Sequence, residues 1–240
     1  MDSHLVRIPV PPTLDAATVF ALHAAIDTAC DAALGVIMLE GAEGVFCRGM
    51  DLDSLAGGGS GNESVYAFAR CLEALRFAPC PTVAVVDGQA LGGGLGLAAA
   101  CDVVLATSRS TFGLPELLFG ALPAIVLPIL RERVPAQRLR LLALCAHSVS
   151  ADEARALGLV DELVTPERLP HATRRWTRML SRPQTQAIAL LKRYTADLPE
   201  LGLSGALERG ASLTSERLRD TTVLAAARQF ANGELAPWLA

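Results

Sequence analysis

The chain has 240 residues, 51% of them apolar and 19% charged, with a net charge of −4. That is enough apolar material for a full core without metal or disulfide support, and too much for a disordered chain. The mild acidic balance argues against a broad nucleic-acid surface, which is normally basic.

The N-terminus, with Asp2, Ser3 and His4 leading into a proline-punctuated strand, lacks a signal-peptide pattern. Asp15 follows Pro11 and Pro12 and can cap a helix predicted over 15–33, with Val19, Leu22, Ile26 and Ala29 on one face. Residues 35–40 read as a buried strand, 41–44 as a turn and 45–47 as a short strand ending at Arg48 and Gly49. The glycine- and serine-rich run 56–62 reads as a mobile loop. A helix over 64–77 is stopped by Pro79 and Pro81, and 82–86 is a strong buried-strand signal. Asp87 and Gly88 form a turn, a helix over 90–100 is entered through Gly92, Gly93 and Gly94, and 102–107 is a further strand. Beyond it only helices are expected, over 115–118, 123–134, 135–146, 151–157, 166–181, 184–191 and 205–230. Strands alternating with helices to about residue 110, then helices alone, give an α/β core followed by a helical region.

The six cysteines (Cys30, Cys47, Cys71, Cys80, Cys101 and Cys145) form no C-x-x-C pair, so neither a zinc site nor a redox motif is expected. They point to free thiols in a reducing cytoplasm. The apolar stretch 83–106 is broken by Asp87, Asp102 and five glycines, so no membrane span is expected. The arginines of 131–140 and 174–182 read as solvated helix faces or as contacts to a partner's phosphate. His4, His23, His147 and His171 do not cluster with a nucleophile.

Four ordered segments carry a family resemblance. Residues 44–52 (Gly-Val-Phe-Cys-Arg-Gly-Met-Asp-Leu) are similar to the F-C-x-G-x-D-L loop of the crotonase (enoyl-CoA hydratase/isomerase) superfamily. Residues 87–97, leading to Cys101-Asp102 and to Thr111-Phe-Gly-Leu-Pro-Glu116, look like its core. Residues 154–161 match its A-x-x-x-G-L-V-D segment, and 229–238 resemble its C-terminal helix ending. The resemblance implies an α/β crotonase fold, a spiral of ββα units over residues 1–182 with a C-terminal helical trimerisation region over 183–240. It also implies a thioester substrate on coenzyme A or on the phosphopantetheine arm of an acyl carrier protein, with no cofactor of the protein's own and no metal.

By the same resemblance, the amides of Met50 and Gly93 form an oxyanion hole for a thioester enolate, the kind of site where two preorganised donors lower a barrier by several kcal/mol. Gly93 fits that role physically, since a helix mouth offers unpaired N–H groups and a favourable dipole. Taken alone, Gly92 to Gly94 fit tight helix–strand packing equally well. Asp51 and Asp53 read as loop caps. Hydratases of the superfamily hold a water between two glutamates; the first position is Gly96 here and the second is Glu116. Glu116 therefore acts alone as acid and base, with burial expected to raise its pKa and Phe112, Leu114, Leu117, Leu118 and Phe119 as its apolar wall. Without the resemblance, it reads as a charge matched to a helix start.

The segment 107–128, with Ala124-Ile-Val-Leu-Pro128 in place of a glycine-rich turn, looks like the dehydratases of polyketide β-branching cassettes. That resemblance implies dehydration of a 3-hydroxy-3-methylglutaryl thioester on an acyl carrier protein, with other cassette enzymes as partners and a homotrimer or hexamer as the assembly. Arg48, Arg70 and Lys192 are candidates for the substrate's distal carboxylate, Gly92 for substrate contact, and Tyr66 for the acyl pocket or plain packing. A hydratase or Δ3-Δ2 isomerase acting on coenzyme A thioesters is the alternative, and a binding or scaffold protein the second.

Overall fold

The computed structural model of the chain describes residues 5–32, 35–53 and 62–235. They fall into two units, divided between Ser181 and Arg182.

The first unit begins with β1 (Leu5–Pro9) and α1 (Ala16–Ala32). One pattern then repeats: β2 (Val36–Glu40), β3 (Val45–Cys47) and α2 (Asn62–Arg76), followed by β4 (Thr82–Val86), β5 (Gln89–Leu91) and α3 (Gly93–Ala100). A third turn opens with β6 (Val103–Thr107) and β7 (Thr111–Gly113). It continues through a 3₁₀ turn at Glu116–Phe119, α4 (Leu127–Arg131) and α5 (Ala136–Cys145). β8 (Val149–Ser150), α6 (Ala151–Leu157), β9 (Glu162–Val164) and α7 (Leu169–Leu180) complete the unit. One sheet is wholly parallel, in the order β1-β2-β4-β6-β9; the other runs β3-β5-β7-β8 and is antiparallel only between β7 and β8. Each turn of the spiral therefore adds one strand to each sheet.

The central strands are apolar at nearly every position because both faces of the large sheet are covered. Val36, Met38, Val83, Val85, Val103 and Leu105 form one cluster, packed by Leu169, Trp176 and Leu180 of α7. Their neighbours Ile37, Leu39, Ala84, Val86, Val104 and Ala106 belong to the main core with Phe46, Leu95, Leu97 and Phe112. Polar groups stitch the strand ends. Asp102 Oδ2 accepts from the Thr82 amide at 2.7 Å and from its hydroxyl at 3.0 Å, while that hydroxyl accepts from the Asp102 amide at 2.9 Å. Asp161 Oδ2 accepts from the Val104 amide at 2.7 Å.

α3 is anchored at both ends. A Cβ at Gly94 would overlap the Cys47 carbonyl, so glycine lets the first turn of the helix lie directly on the end of β3. At the other end the Arg133 guanidinium donates to the carbonyls of Ala99, Cys101 and Asp102 at 3.0, 2.6 and 3.0 Å, and to Asp161 at 3.0 Å. These bonds satisfy acceptors that a helix C-terminus leaves open.

The structure corrects several sequence expectations. Ala90 and Leu91 belong to β5, paired with Phe112 and Gly113, and the helix starts only at Gly93. Of the helix expected over 123–134, only Leu127–Arg131 is α-helical, preceded by a turn in which the Val126 and Leu127 amides donate to the Pro123 carbonyl. Strands do not end near residue 110: β7, β8 and β9 follow, each of two or three residues and too short to show a period of two. The 115–118 helix is a 3₁₀ turn closed by Gly120 in the left-handed region, and α7 is preceded by a separate 3₁₀ turn at Pro166–Arg168. The loop expected over 56–62 lies outside the described residues except Asn62, which opens α2.

The second unit comprises α8 (Thr185–Asp197), α9 (Leu203–Arg217) and α10 (Thr221–Ala231). The helix expected over 205–230 is thus two helices, because Asp220 accepts from the Thr222 amide at 2.9 Å and caps a new start. Among the described residues, no helix is long and apolar enough to cross a membrane.

Two substitutions test the anchoring of α3. Gly94→Ala is expected to destabilise the first unit by about 2 kcal/mol or more, because backbone must shift. Arg133→Met should cost about 2 kcal/mol by orphaning three carbonyls. Urea denaturation followed by circular dichroism reads both, and an unchanged midpoint contradicts the corresponding assignment.

Candidate active site

Three chain segments meet where α3 begins. The first is the loop after β3. Gly49, at φ +81, lies so close to the strand–helix corner that a Cβ there would be 2.9 Å from the Leu91 carbonyl and 3.0 Å from the Gly93 amide nitrogen. Leu14 pairs with Met50 through a parallel bridge. It uses the Gly49 carbonyl and the Asp51 amide, at 2.8 and 3.0 Å. A bridge of this kind leaves the N–H of Met50 itself directed away from residue 14.

The second segment is the corner itself. Gly92 donates to the Gly113 carbonyl at 2.9 Å and has φ +52, a conformation that strains any side-chain-bearing residue. Among the described residues no side chain caps α3, so the Gly93 N–H is one of the open donors at a helix mouth. Leu14 and Phe68 close over it: a Cβ at Gly93 would be 2.9 Å from Leu14 Cδ1 and 3.2 Å from Phe68 Cζ.

The third segment is the 3₁₀ turn after β7, which brings Glu116 onto Gly92. Its Oε1 would lie 2.7 Å from a Cβ at residue 92. Its Oε2 is buried and has no hydrogen-bond partner among the described residues. Burial holds the carboxyl above the ordinary glutamate range.

These groups line a cleft of about 960 Å³ of atom-free space, part of it open to solvent. Arg48, Met50, Gly92, Gly93 and Glu116 all line it, as do Leu14, Val19, Phe68, Phe119, Leu122, Ile125 and Val126. Arg48 is the only cation among the described lining residues. Asp15 lines it too, but it is committed to α1: its carboxylate accepts from the Thr18 amide at 2.8 Å, which keeps its pKa below the usual range. Burial pushes the Cys47 thiol up to about 11, so it is inert as a nucleophile.

Other sequence candidates fall elsewhere. Tyr66 and Arg70 are exposed on α2 and do not line the cleft, so Tyr66 is neither a pocket wall nor core packing. Lys192 lies on α8 in the second unit. Asp51 accepts from the Thr13 hydroxyl at 3.3 Å, a loop-fastening role. Of the five residues expected to wall in Glu116, only Phe119 lines the cleft; Phe112 and Leu114 are fully buried in the core, and Leu117 and Leu118 face solvent. Leu14, Phe68 and Val126 are lining residues that sequence reasoning missed, and Val126 carries the clearest local signal. It packs on Gly96, where a Cβ would overlap its Cγ1. The signal lay in the unusual segment 124–128, whose contact with α3 only the fold reveals. Among the described residues, no three His, Cys, Asp or Glu side chains are grouped to hold a metal ion.

Comparison with known proteins agrees with this architecture. The family Enoyl-CoA hydratase/isomerase matches residues 6–230. The structure of Pseudomonas aeruginosa AtuE superposes with a TM-score of 0.90 and 30% identity, covering 98% of this chain and 96% of that one. A putative enoyl-CoA hydratase of Thermus thermophilus is 29% identical over 220 residues, 90% of this chain and 85% of that protein. Bacillaene synthase dehydratase PksH of Bacillus subtilis is 35% identical over 133 residues, 52% of this chain and 50% of PksH. The chain spans from 20% to 85% of the length of the first curated relatives it matches. With the family matched over almost all its residues and the interleaved sheets in place, the chain belongs to the crotonase, or enoyl-CoA hydratase/isomerase, family of enzymes.

Proposed function

We propose that the chain is a dehydratase that removes water from a 3-hydroxy-3-methylglutaryl thioester carried on an acyl carrier protein, giving the 3-methylglutaconyl thioester. The observation that carries this reading is Glu116: a half-buried carboxyl with one buried, unpartnered oxygen, seated on Gly92 beside Gly93 and Met50 in one cleft. The PksH match supports a dehydratase. The carrier protein, the cassette enzymes as partners, and a homotrimer or hexamer belong to the same reading.

In the proposed reaction the amides of Met50 and Gly93 donate to the thioester oxygen and stabilise the negative charge that grows there. Glu116 starts as carboxylate and takes the C2 proton. The C2–H electron pair forms the enolate. As it collapses to the C2=C3 double bond, the C3–O bond breaks and Glu116 returns its proton to the departing hydroxyl, which leaves as water. One carboxyl thus begins and ends deprotonated. A pKa raised by burial suits both steps, since it makes the carboxylate a better base for C2 without ending its ability to return the proton. The apolar walls from Phe68, Phe119 and Val126 lower the local polarity and so strengthen charge interactions in the cleft.

Two experiments check the reading. Mass spectrometry should show loss of one water from the 3-hydroxy-3-methylglutaryl carrier protein, with much slower turnover of the coenzyme A thioester. The reverse preference would favour a coenzyme A hydratase or isomerase. Glu116→Gln should lower kcat by about a hundred- to ten-thousand-fold, and normal turnover by this variant refutes the role. The pH dependence has a definite sign. The folded pKa of Glu116 lies above its unfolded value, so its proton stabilises the fold at low pH. That contribution is lost as pH rises through the folded pKa. Glu116→Gln should therefore melt above the wild type at neutral pH, the gap closing toward the ordinary glutamate range, while wild-type kcat/KM rises with pH across the same window.

A further inference from the structure

We propose that Leu14 is the positioning residue of the oxyanion site. Its main chain holds the loop that carries Met50, its side chain is seated against Gly93, and the spacing of the two amides is kept through it. This rests on the roles given above to Met50 and Gly93, and not on the identity of the acyl group.

β3 ends at Cys47, where its pairing with β5 also stops. Met50 lies beyond that ladder, with its side chain 43% exposed, so the sheet does not hold it. The segment 12–14 takes over. The Arg48 amide donates to the Pro12 carbonyl at 2.8 Å, the Leu14 amide to the Gly49 carbonyl at 2.8 Å, and the Asp51 amide to the Leu14 carbonyl at 3.0 Å. The two main-chain bonds of Leu14 therefore grip the residues on either side of Met50. The Thr13 hydroxyl adds a bond to Asp51 at 3.3 Å. This strap is itself fixed at both ends. The Val10 amide donates to the Glu40 carbonyl at 2.8 Å, and Asp15 accepts from the Thr18 amide at 2.8 Å where α1 begins. The Leu14 side chain then relates the strap to α3. Its Cδ1 fills the space that a Cβ at Gly93 would need, at 2.9 Å, with Phe68 Cζ at 3.2 Å beside it. At 6% exposure, Leu14 has little freedom to swing aside. Gly49 touches the Gly93 amide from the loop side but has no side chain to wedge there. Truncating Leu14 thus frees the strap, and the loop bonded to it, to shift against the helix mouth. Donors to a developing oxyanion act only at hydrogen-bond distance, and a misplacement of about an ångström costs on the order of a hundredfold in rate.

The test reads the substrate carbonyl as well as the rate. In a Glu116→Gln background, which prevents turnover, infrared difference spectra of a bound thioester, isotope-labelled at its carbonyl carbon, report how strongly the two amides polarise it. The probe is the 3-methylglutaconyl carrier protein, or crotonyl-coenzyme A if the carrier-bound thioester does not bind. The carbonyl stretch should fall in frequency on binding, and adding Leu14→Ala should reverse much of that fall. With Glu116 intact, Leu14→Ala should lower kcat by about ten- to a hundredfold, with little change in KM. Leu14→Met, which conserves volume, should recover most of the rate and of the carbonyl shift. Melting temperatures show which variants fold. If Leu14→Ala does not, Leu14→Val takes its place, with a smaller change in the same direction. The proposal is overturned if the folded variant keeps the full carbonyl shift, whatever its rate, or if folded Leu14→Met is as impaired as Leu14→Ala. Absence of any shift with Leu14 intact overturns the oxyanion assignment and this proposal with it. A Leu14-dependent shift in a protein that does not dehydrate the 3-hydroxy-3-methylglutaryl thioester overturns the dehydratase reading and supports this one.

Discussion

The site depends on how closely α3 approaches the end of β3. Gly94 lies on the Cys47 carbonyl, and Gly49 is pressed against the Gly93 amide from the other side. No residue with a Cβ at 94 fits that contact. The approach brings residues 50 and 93 into one cleft, as the proposed reaction requires of their amides. Arg133 holds the far end of the same helix, so the helix mouth is positioned by contacts at both of its termini.

Glu116 shows how the fold uses burial chemically. A carboxylic acid in water would find partners for both oxygens. Here Oε1 rests against the bare α-carbon of Gly92, and Oε2 faces no donor among the described residues. Leaving a polar atom without a partner costs free energy, and the cost falls mainly on the charged form, which raises the pKa. Glycine at 92 serves two purposes: its positive φ turns strand β5 into α3, and its lack of a Cβ leaves room for the carboxyl.

Much of this was legible in the sequence because it is local. Asp15 before an apolar period of 3.6 and the unbroken apolar runs of β2 and β4 all act within a few residues. The segments around Met50, Gly93 and Glu116 were legible through resemblance. What stayed hidden depends on contacts between distant segments. Strands β8 and β9 exist because β7 and β6 offer them edges, not because two or three residues prefer extension. The true walls of the cleft, Leu14, Phe68 and Val126, come from three separate stretches of chain. Nearness in sequence to Glu116 selected Phe112 and Leu114 instead, which the strand pleat and the core claim for themselves.

The paired aspartates at the strand ends have a consequence of their own. In a sheet that is oily on both sides, sliding a strand by one residue swaps one greasy surface for another, so the usual penalty for misalignment is weak. Asp102 gripping Thr82, and Asp161 gripping the Val104 amide, supply the missing penalty: a slipped strand would strand a charge away from its donors. The fold thus keeps its strands aligned by two latches at their ends, neither of which lines the cleft.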